Sequence, residues 1–171
     1  MKLEDAIKSG IVKLNVGSGI GGAVNPDFVN IDVVDHPKID LVCDITKGIP
    51  IEDGKVTYIE CMEVLEHLHR NSTSKVLEEF YRILKIGGRI KLSVPNLPVI
   101  LDLWLRNVDG KRWEKWLLCL FGGQVYPSDT HLTGFDKERL TKIFEDGGKW
   151  SSLKTYENGE YNRQLICEAI K

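Results

Sequence analysis

Short apolar runs that alternate with helical patterns constrain the fold of this chain most strongly. Strand-like runs, each ended by a turn, fill much of the first 96 residues. Apolar residues spaced three or four apart predict helices at 73–84, 99–108, 112–121 and 137–145. The predicted strands are 11–16, 28–34, 39–43, 56–62, 89–94, 153–156 and 164–169. This alternation of seven strands with helices predicts an α/β fold with a mostly parallel sheet.

The length and composition predict one globular domain over residues 1–171. The chain is 42% hydrophobic and 28% charged, with a net charge of −2. This size allows a real core, and the near-neutral charge gives no basis for binding nucleic acid or an anionic membrane. There is no bilayer-length apolar stretch or secretory signal, and the four scattered cysteines fit reduced thiols. We therefore expect a cytoplasmic protein without membrane or nucleic-acid partners.

The connection between the first two predicted strands is unusually short. Only 13 residues run from Gly19 to the acid that ends the second strand. Gly21, Gly22 and Pro26 lie in this stretch and disfavour a helix. We predict a loop or a single turn in place of the usual crossover helix. Residues 45–55, with two glycines and a proline, predict a second trimmed crossover.

The first predicted strand runs into a glycine-rich turn, Asn15-Val16-Gly17-Ser18-Gly19-Ile20-Gly21-Gly22. Glycines at this position let the backbone turn sharply and let a ligand approach it closely. A tight turn without a ligand is the alternative explanation. The turn lacks the Gly-Lys-Ser/Thr ending of a P-loop, so it does not predict binding of a nucleoside triphosphate.

Two acids end neighbouring strands, Asp32 after the second and Asp44 after the third. A carboxylate at Asp32 can accept hydrogen bonds from the two hydroxyls of a ribose. Asp44 is placed to accept one from the exocyclic amine of an adenine. Solvated acids or caps at strand ends are the alternative for both residues.

Acids and a histidine follow the fourth predicted strand, in the run Glu63-Val64-Leu65-Glu66-His67-Leu68. If this run makes a helical turn, Glu63, Glu66 and His67 share one face. Such a set suits proton transfer, recognition of a substrate hydroxyl or metal binding. A polar cap with a hydrogen-bonded histidine is the alternative.

The ordered motifs resemble those of class I S-adenosylmethionine-dependent methyltransferases, and most closely the type 11 group. The motifs are Asn15-Val16-Gly17-Ser18-Gly19, Asn30-Ile31-Asp32-Val33, Asp44-Ile45, Glu63-Val64-Leu65-Glu66-His67-Leu68 and Leu84-Lys85-Ile86-Gly87-Gly88. The resemblance implies a Rossmann-like, mostly parallel seven-stranded sheet with one antiparallel strand near the C-terminal edge. It also implies S-adenosyl-L-methionine as cofactor and methyl transfer as the activity. The shortened first crossover departs from the family pattern, as does Ile86 where a proline is usual.

The resemblance also implies which residues bind the cofactor. In this chain they are Val16, Gly17, Ser18 and Gly19 beside the methionine part, Asp32 and Val33 at the ribose, Asp44 and Ile45 at the adenine, and Glu63 near the sulfonium.

Three residues are candidates for removing a proton from the acceptor: Glu66, His67 and the distant His131. Together with Glu63 they also resemble the metal set of small-RNA 2′-O-methyltransferases, in which two carboxylates and two imidazoles hold a divalent ion. The metal-free interpretation is the one we predict, with the metal site as its alternative.

Residues 97–133 are rich in leucine and tryptophan and follow the fifth strand, where members of the family often place a substrate lid. We expect Asn96 and Trp104 to contact the substrate, and the alternative for Asn96 is that it fixes the lid. The alternatives are that the tryptophans belong to the core and that 117–121 forms a homodimer surface.

Together these features predict methyl transfer from S-adenosylmethionine to a small-molecule acceptor, such as a sugar or another hydroxyl or amine compound. Two alternatives remain from the sequence. One is a nicotinamide-dependent oxidoreductase on a Rossmann sheet, and the other is a non-catalytic module that binds S-adenosylmethionine.

Overall fold

The computed structural model describes residues 2–19 and 24–171. The strands are β1 Val12–Val16, β2 Val29–Asp32, β3 Leu41–Val42, β4 Val56–Met62, β5 Leu84–Pro95, β6 Ser152–Asn158 and β7 Gln164–Ile170. They form one sheet in the order β3-β2-β1-β4-β5-β7-β6. Strands β1 to β5 pair in parallel, whereas β7 runs antiparallel to both β5 and β6. The predicted seven-stranded α/β sheet with one antiparallel strand is confirmed.

The helices are α1 Leu3–Ser9, α2 Thr73–Ile83, α3 Leu97–Leu105, α4 Leu117–Phe121 and α5 Lys137–Gly147. The helix predicted over 112–121 is split, because Arg112–Trp116 forms a π-helical turn before α4 begins. Short 3-10 turns at Ile45–Lys47 and Leu65–His67 follow β3 and β4. No helix in the described parts of the chain is long and apolar enough to cross a membrane.

The core lies against the central strands. Leu14 and Val16 of β1 are almost fully buried, as in a parallel strand covered on both faces. Phe80 of α2 and Phe144 of α5 are fully buried, and these two helices pack against each other. This arrangement holds the carboxyl ends of β1, β2 and β4 rigidly at one edge of the sheet.

The connections before β2 and between β3 and β4 are short in the described residues. Residues 24–28 before β2 contain no helix, and the rest of the predicted loop, including Gly21 and Gly22, lies outside the described residues. Between β3 and β4 the chain makes only the turn Ile45–Lys47, as the sequence predicted.

The two glycines after α2 serve a different purpose from the expected one. We predicted that Gly87 and Gly88 end the helix, but α2 ends at Ile83 and β5 starts at the next residue. Val56 of β4 pairs with Leu84 and Tyr58 pairs with Arg89, so residues 85–88 bulge out of β5. Gly87 takes a positive φ of 77° in this turn.

Candidate active site

The turn after β1 is held against β2 by backbone hydrogen bonds. The N–H groups of Gly17 and Ser18 both donate to the carbonyl of Ile31, at 2.8 and 3.2 Å. Gly17 has a φ of 68°, and a Cβ atom on it would overlap a methyl group of Val64. Only glycine fits here, because any side chain meets both a backbone penalty and a clash.

Asp32 ends β2 and fastens the same turn. Its Oδ2 accepts from the Gly19 N–H at 2.8 Å, and its Oδ1 accepts from the Val34 N–H at 3.0 Å. A carboxylate has about four lone-pair directions. Each oxygen of Asp32 therefore keeps capacity for one further donor from a ligand.

A cleft opens where these strand ends meet, and we call it the glycine-loop cleft. Its cavity volume is about 230 Å³, and it is open at its mouth. Eight of the nine residues predicted to bind a cofactor line it: Val16, Gly17, Gly19, Asp32, Val33, Asp44, Ile45 and Glu63. The ninth, Ser18, is buried and lies behind the turn, with its hydroxyl 3.5 Å from the carbonyl of Ile31.

Asp44 is also the cap of the turn that follows β3. Its Oδ1 accepts from the hydroxyl of Thr46 at 2.6 Å and from the Thr46 N–H at 3.1 Å, and its Oδ2 pairs with Lys47 at 3.2 Å. The Thr46 hydroxyl is the main cause that lowers the pKa of Asp44. Asp44 therefore both caps this turn and lines the glycine-loop cleft.

Glu63 stands at the far wall of the cleft in a strained conformation. Its φ is 56°, which is uncommon outside glycine, and its N–H donates to the Ser93 carbonyl at 3.0 Å. The Ser93 hydroxyl donates to Glu63 Oε1 at 2.7 Å. Such strain persists where neighbouring contacts hold it in place, and here it directs the carboxylate to the junction of two cavities.

The second cavity, which we call the histidine pocket, adjoins the first and has a cavity volume of about 180 Å³. Glu63, Glu66, His67 and His131 all line it. The helical turn predicted to give the acids and the histidine a shared face covers only Leu65–His67, so Glu63 reaches the pocket from outside that turn. Glu63, His67 and Asp129 line both cavities. The two cavities therefore lie next to each other at these residues.

Three of the candidate residues meet closely in this pocket. Glu66, His67 and His131 each offer a donor atom, and these atoms lie within 4.8 Å of one another. The two imidazole rings meet edge to face with their centroids 4.8 Å apart. Glu63, the fourth residue of the metal alternative, is not part of this group.

Burial shifts the ionisation of all three groups. It raises the pKa of Glu66 well above its ordinary value, and the nearby Glu63 carboxylate adds to this effect. Both oxygens of Glu66 lack a hydrogen-bond partner among the described residues. Burial lowers the pKa of His67 and of His131, which favours neutral imidazoles.

The segment 97–133 delivers His131 to the pocket through backbone hydrogen bonds. The N–H groups of Leu132 and Thr133 donate to the Glu66 carbonyl at 2.7 and 3.1 Å. The His131 N–H donates to the Phe121 carbonyl at 3.1 Å. His67 and His131 are 64 positions apart in the sequence, and they line the same pocket because the segment 97–133 folds back over the turn after β4.

Asn96 and Trp104, the predicted substrate contacts, line neither cavity. Asn96 is 4% exposed and donates from its side chain to the Asn162 carbonyl at 3.1 Å, which ties β5 to the loop before β7. Trp104 packs edge to face on Trp113 and lies under the guanidinium of Arg112. In this structure both side chains support the segment 97–133 and its attachment.

Sequence reasoning missed several lining residues, among them four that carry polar side chains. Tyr126, Ser128 and Asp129 come over the glycine-loop cleft from the segment 97–133, and Arg163 lines the histidine pocket from the loop before β7. Asp129 could have been predicted from the sequence, because it lies two residues before the candidate residue His131. Arg163 has no motif around it, and only the pairing of β7 with β5 brings it to the site.

Comparison with known proteins gives one family match. Residues 20–92 match the family model described as a methyltransferase domain. No curated protein matches the sequence.

Solved structures with the same fold come from several organisms. A S-adenosylmethionine-dependent methyltransferase from Archaeoglobus fulgidus has a TM-score of 0.67 at 15% identity, over 98% of this chain and 89% of that one. One from Thermotoga maritima has a TM-score of 0.62 at 13% identity, over 94% and 82%. The Burkholderia thailandensis 1,6-didemethyltoxoflavin-N1-methyltransferase, solved with its substrate and S-adenosylhomocysteine, has a TM-score of 0.60 at 15% identity, over 94% and 70%.

Proposed function

We propose that this chain is a class I S-adenosylmethionine-dependent methyltransferase and that it methylates a hydroxyl oxygen of a small molecule bound in the histidine pocket. The match of residues 20–92 to a methyltransferase domain and the shared fold support the resemblance predicted from the sequence. The same match favours S-adenosylmethionine as the cofactor over the nicotinamide alternative. The hydroxyl acceptor is our proposal.

The residues of the glycine-loop cleft fit this cofactor. Gly17 lets the backbone approach a ligand where a Cβ would meet Val64. Asp32 has acceptor capacity for two ribose hydroxyls, and Asp44 stands next along the sheet edge for an adenine amine. When bound, S-adenosylmethionine supplies an electrophilic methyl group on a sulfonium sulfur.

The observation that carries the proposal is the meeting of His67, His131 and Glu66 beside that cleft. A hydroxyl is a weak nucleophile until a base takes its proton, whereas a neutral amine needs less help. The lowered histidine pKa values keep both rings neutral and able to accept a proton near neutral pH. A pocket built for proton removal therefore favours an oxygen acceptor.

His67 is oriented for this task by a backbone carbonyl. Its Nδ1 lies 3.2 Å from the Thr130 carbonyl, which only accepts hydrogen bonds. We therefore assign the ring proton to Nδ1, which leaves Nε2 with the lone pair. This tautomer presents a base toward the acceptor, and the segment 97–133 fixes it.

The proposed transfer exchanges one bond of the methyl carbon for another and moves one proton. The acceptor oxygen forms a bond to the methyl carbon, the carbon–sulfur bond breaks and leaves S-adenosylhomocysteine, and the hydroxyl proton passes to His67. An imidazolium formed at His67 favours the carboxylate form of Glu66, because opposite charges nearby lower a carboxyl pKa. The protein otherwise acts by positioning acceptor and methyl group at about 3 Å.

The segment 97–133 would act as the lid of this site. It places Tyr126 and Asp129 over the glycine-loop cleft and His131 in the histidine pocket. A cover of this kind excludes water from the transfer. The cavity volume of the histidine pocket, about 180 Å³, favours a small acceptor.

The test is to measure S-adenosylhomocysteine formation with a panel of small alcohols and phenols and with the matching amines. We expect turnover of hydroxyl compounds that depends on His67 and that chelation with EDTA leaves unchanged. Methylation of amines alone would contradict the oxygen acceptor. Loss of activity with EDTA, restored by a divalent ion, would favour the metal alternative.

A further inference from the structure

Arg163 lines the histidine pocket as an unpaired cation. It lies just before β7 and is partly buried. Its Nε is buried without a hydrogen-bond partner, and its Nη1 has only a long contact of 3.9 Å with the Cys119 sulfur. In the described part of the chain, no salt bridge joins Arg163 to a carboxylate.

An unpaired guanidinium in this position is costly. Removing a charge from water costs free energy unless a partner of opposite charge or hydrogen bonds replace the solvent. Burial raises the pKa of Glu63, and the hydrogen bond from the Ser93 hydroxyl and the charge of Arg163 only partly oppose this effect. Glu66, on the same pocket wall as the histidines, is held toward its neutral form by burial.

The rest of the pocket defines what lies between the cation and the base. Pro95, Ile100 and Leu118 supply an apolar wall. The pocket thus offers three features to a ligand: the guanidinium of Arg163, an apolar wall, and the cluster of Glu66 with the two histidines. A matching ligand has an anionic group for the guanidinium, a compact carbon body for the wall, and a proton-bearing group for the cluster.

We propose that Arg163 binds the carboxylate of the methyl acceptor, so that the acceptor is a small hydroxy carboxylate. This inference rests on the proposed function and names its substrate class. A guanidinium presents paired N–H donors that match the two oxygens of a carboxylate. A singly charged carboxylate also repels the nearby Glu63 less than a doubly charged phosphate does.

The test measures binding without requiring turnover. Calorimetry on the protein saturated with S-adenosylhomocysteine compares the three positional isomers of hydroxybenzoate with the three matching hydroxybenzamides. We expect at least one hydroxybenzoate to bind about tenfold or more tightly than its amide, as for a charge-assisted hydrogen bond.

Variants then assign the effect to Arg163. Arg163→Gln should abolish the preference for the carboxylate while leaving amide binding unchanged, and Arg163→Lys should restore part of it. Arg89→Gln is the matched control, because Arg89 is exposed and lies near the start of β4 and β5, away from the pocket. Thermal unfolding of each variant shows whether it is folded.

Equal binding of acids and amides, a preference that survives in Arg163→Gln, or no binding of any hydroxybenzoate at millimolar concentration would overturn the proposal. Retained carboxylate binding with no transfer to any hydroxyl compound would instead count against the proposed function. The two failures are therefore distinguishable.

Discussion

The backbone N–H of Gly19 donates to the Asp32 carboxylate at 2.8 Å, so one acid both fastens the turn after β1 and lines the cleft beside it. The acid that the resemblance assigns to a ribose is thus also a structural support for the glycine turn. Its removal should affect ligand binding through both routes.

Replacement of Asp32 should weaken cofactor binding. Asp32→Ala removes the carboxylate acceptor, and we expect a loss of about 1–3 kcal/mol in S-adenosylmethionine binding, the size of lost charge-assisted hydrogen bonds. Asp32→Asn keeps one acceptor oxygen, so its affinity for S-adenosylmethionine should lie between those of the wild type and Asp32→Ala. Asp35→Ala, at an exposed acid outside both cavities, is the control. An unchanged dissociation constant in Asp32→Ala would refute the ribose role.

A methyl group at Gly17 should destabilise the fold. Gly17→Ala combines a left-handed backbone with a clash on Val64, and we expect about 2–4 kcal/mol lower unfolding free energy in urea. Gly10→Ala has a similar φ of 73° with nothing near its Cβ, so it measures the backbone cost alone. Val64→Ala added to Gly17→Ala should recover part of the loss. No recovery in the double variant would show that the clash is not the cause.

Replacement of His67 should slow catalysis without unfolding the protein. His67→Asn removes the proposed base, and we expect kcat to fall about 100-fold or more on a hydroxyl acceptor. His69→Asn is the matched control, because His69 is exposed two residues away. The wild-type rate should fall as the pH drops below the ordinary histidine range, because burial lowers the pKa of His67.

Asp129 and His131 interact electrostatically with His67, and Glu63, Glu66 and Arg163 line the same pocket. The base proposal fails if His67→Asn and His69→Asn have equal rates.

Glu66→Gln should make stability less sensitive to alkaline pH. A carboxyl whose pKa is raised on folding stabilises the protein below its unfolded pKa, and this contribution is lost as the pH rises through the folded pKa. The glutamine side chain does not titrate, so the variant does not lose stability in this way. The melting temperature of Glu66→Gln minus that of the wild type should therefore increase from pH 4 to pH 8. Glu60→Gln, in β4 outside both cavities, serves as control. A difference in melting temperature that stays constant from pH 4 to pH 8 would show that Glu66 does not titrate as the structure implies.

Most of the glycine-loop cleft was accessible from the sequence. Gly17, Asp32, Asp44 and Glu63 each stand at or just past the end of a parallel strand, and parallel strands bring their carboxyl ends to one edge. Local patterns of apolar runs and turns were therefore enough to predict which residues meet there. The class of fold followed from the same alternation.

The histidine pocket depended on contacts that no local pattern encodes. His131 was predicted as a candidate, but its place beside His67 comes from the hydrogen bonds of Leu132 and Thr133 to the Glu66 carbonyl. Asn96 and Trp104 show the converse, since residue type and position predicted contact with a substrate whereas packing placed them outside both cavities.

The sequence by itself determined the sheet, the glycine turn and the acids at the strand ends, because these depend on periodicity and on residues close together in the chain. Only the tertiary structure decided that Arg163 would face His131 and Glu66 across one pocket. That meeting requires the antiparallel pairing of β7 with β5 and the return of the segment 97–133, and both are long-range contacts selected by the burial of the whole core.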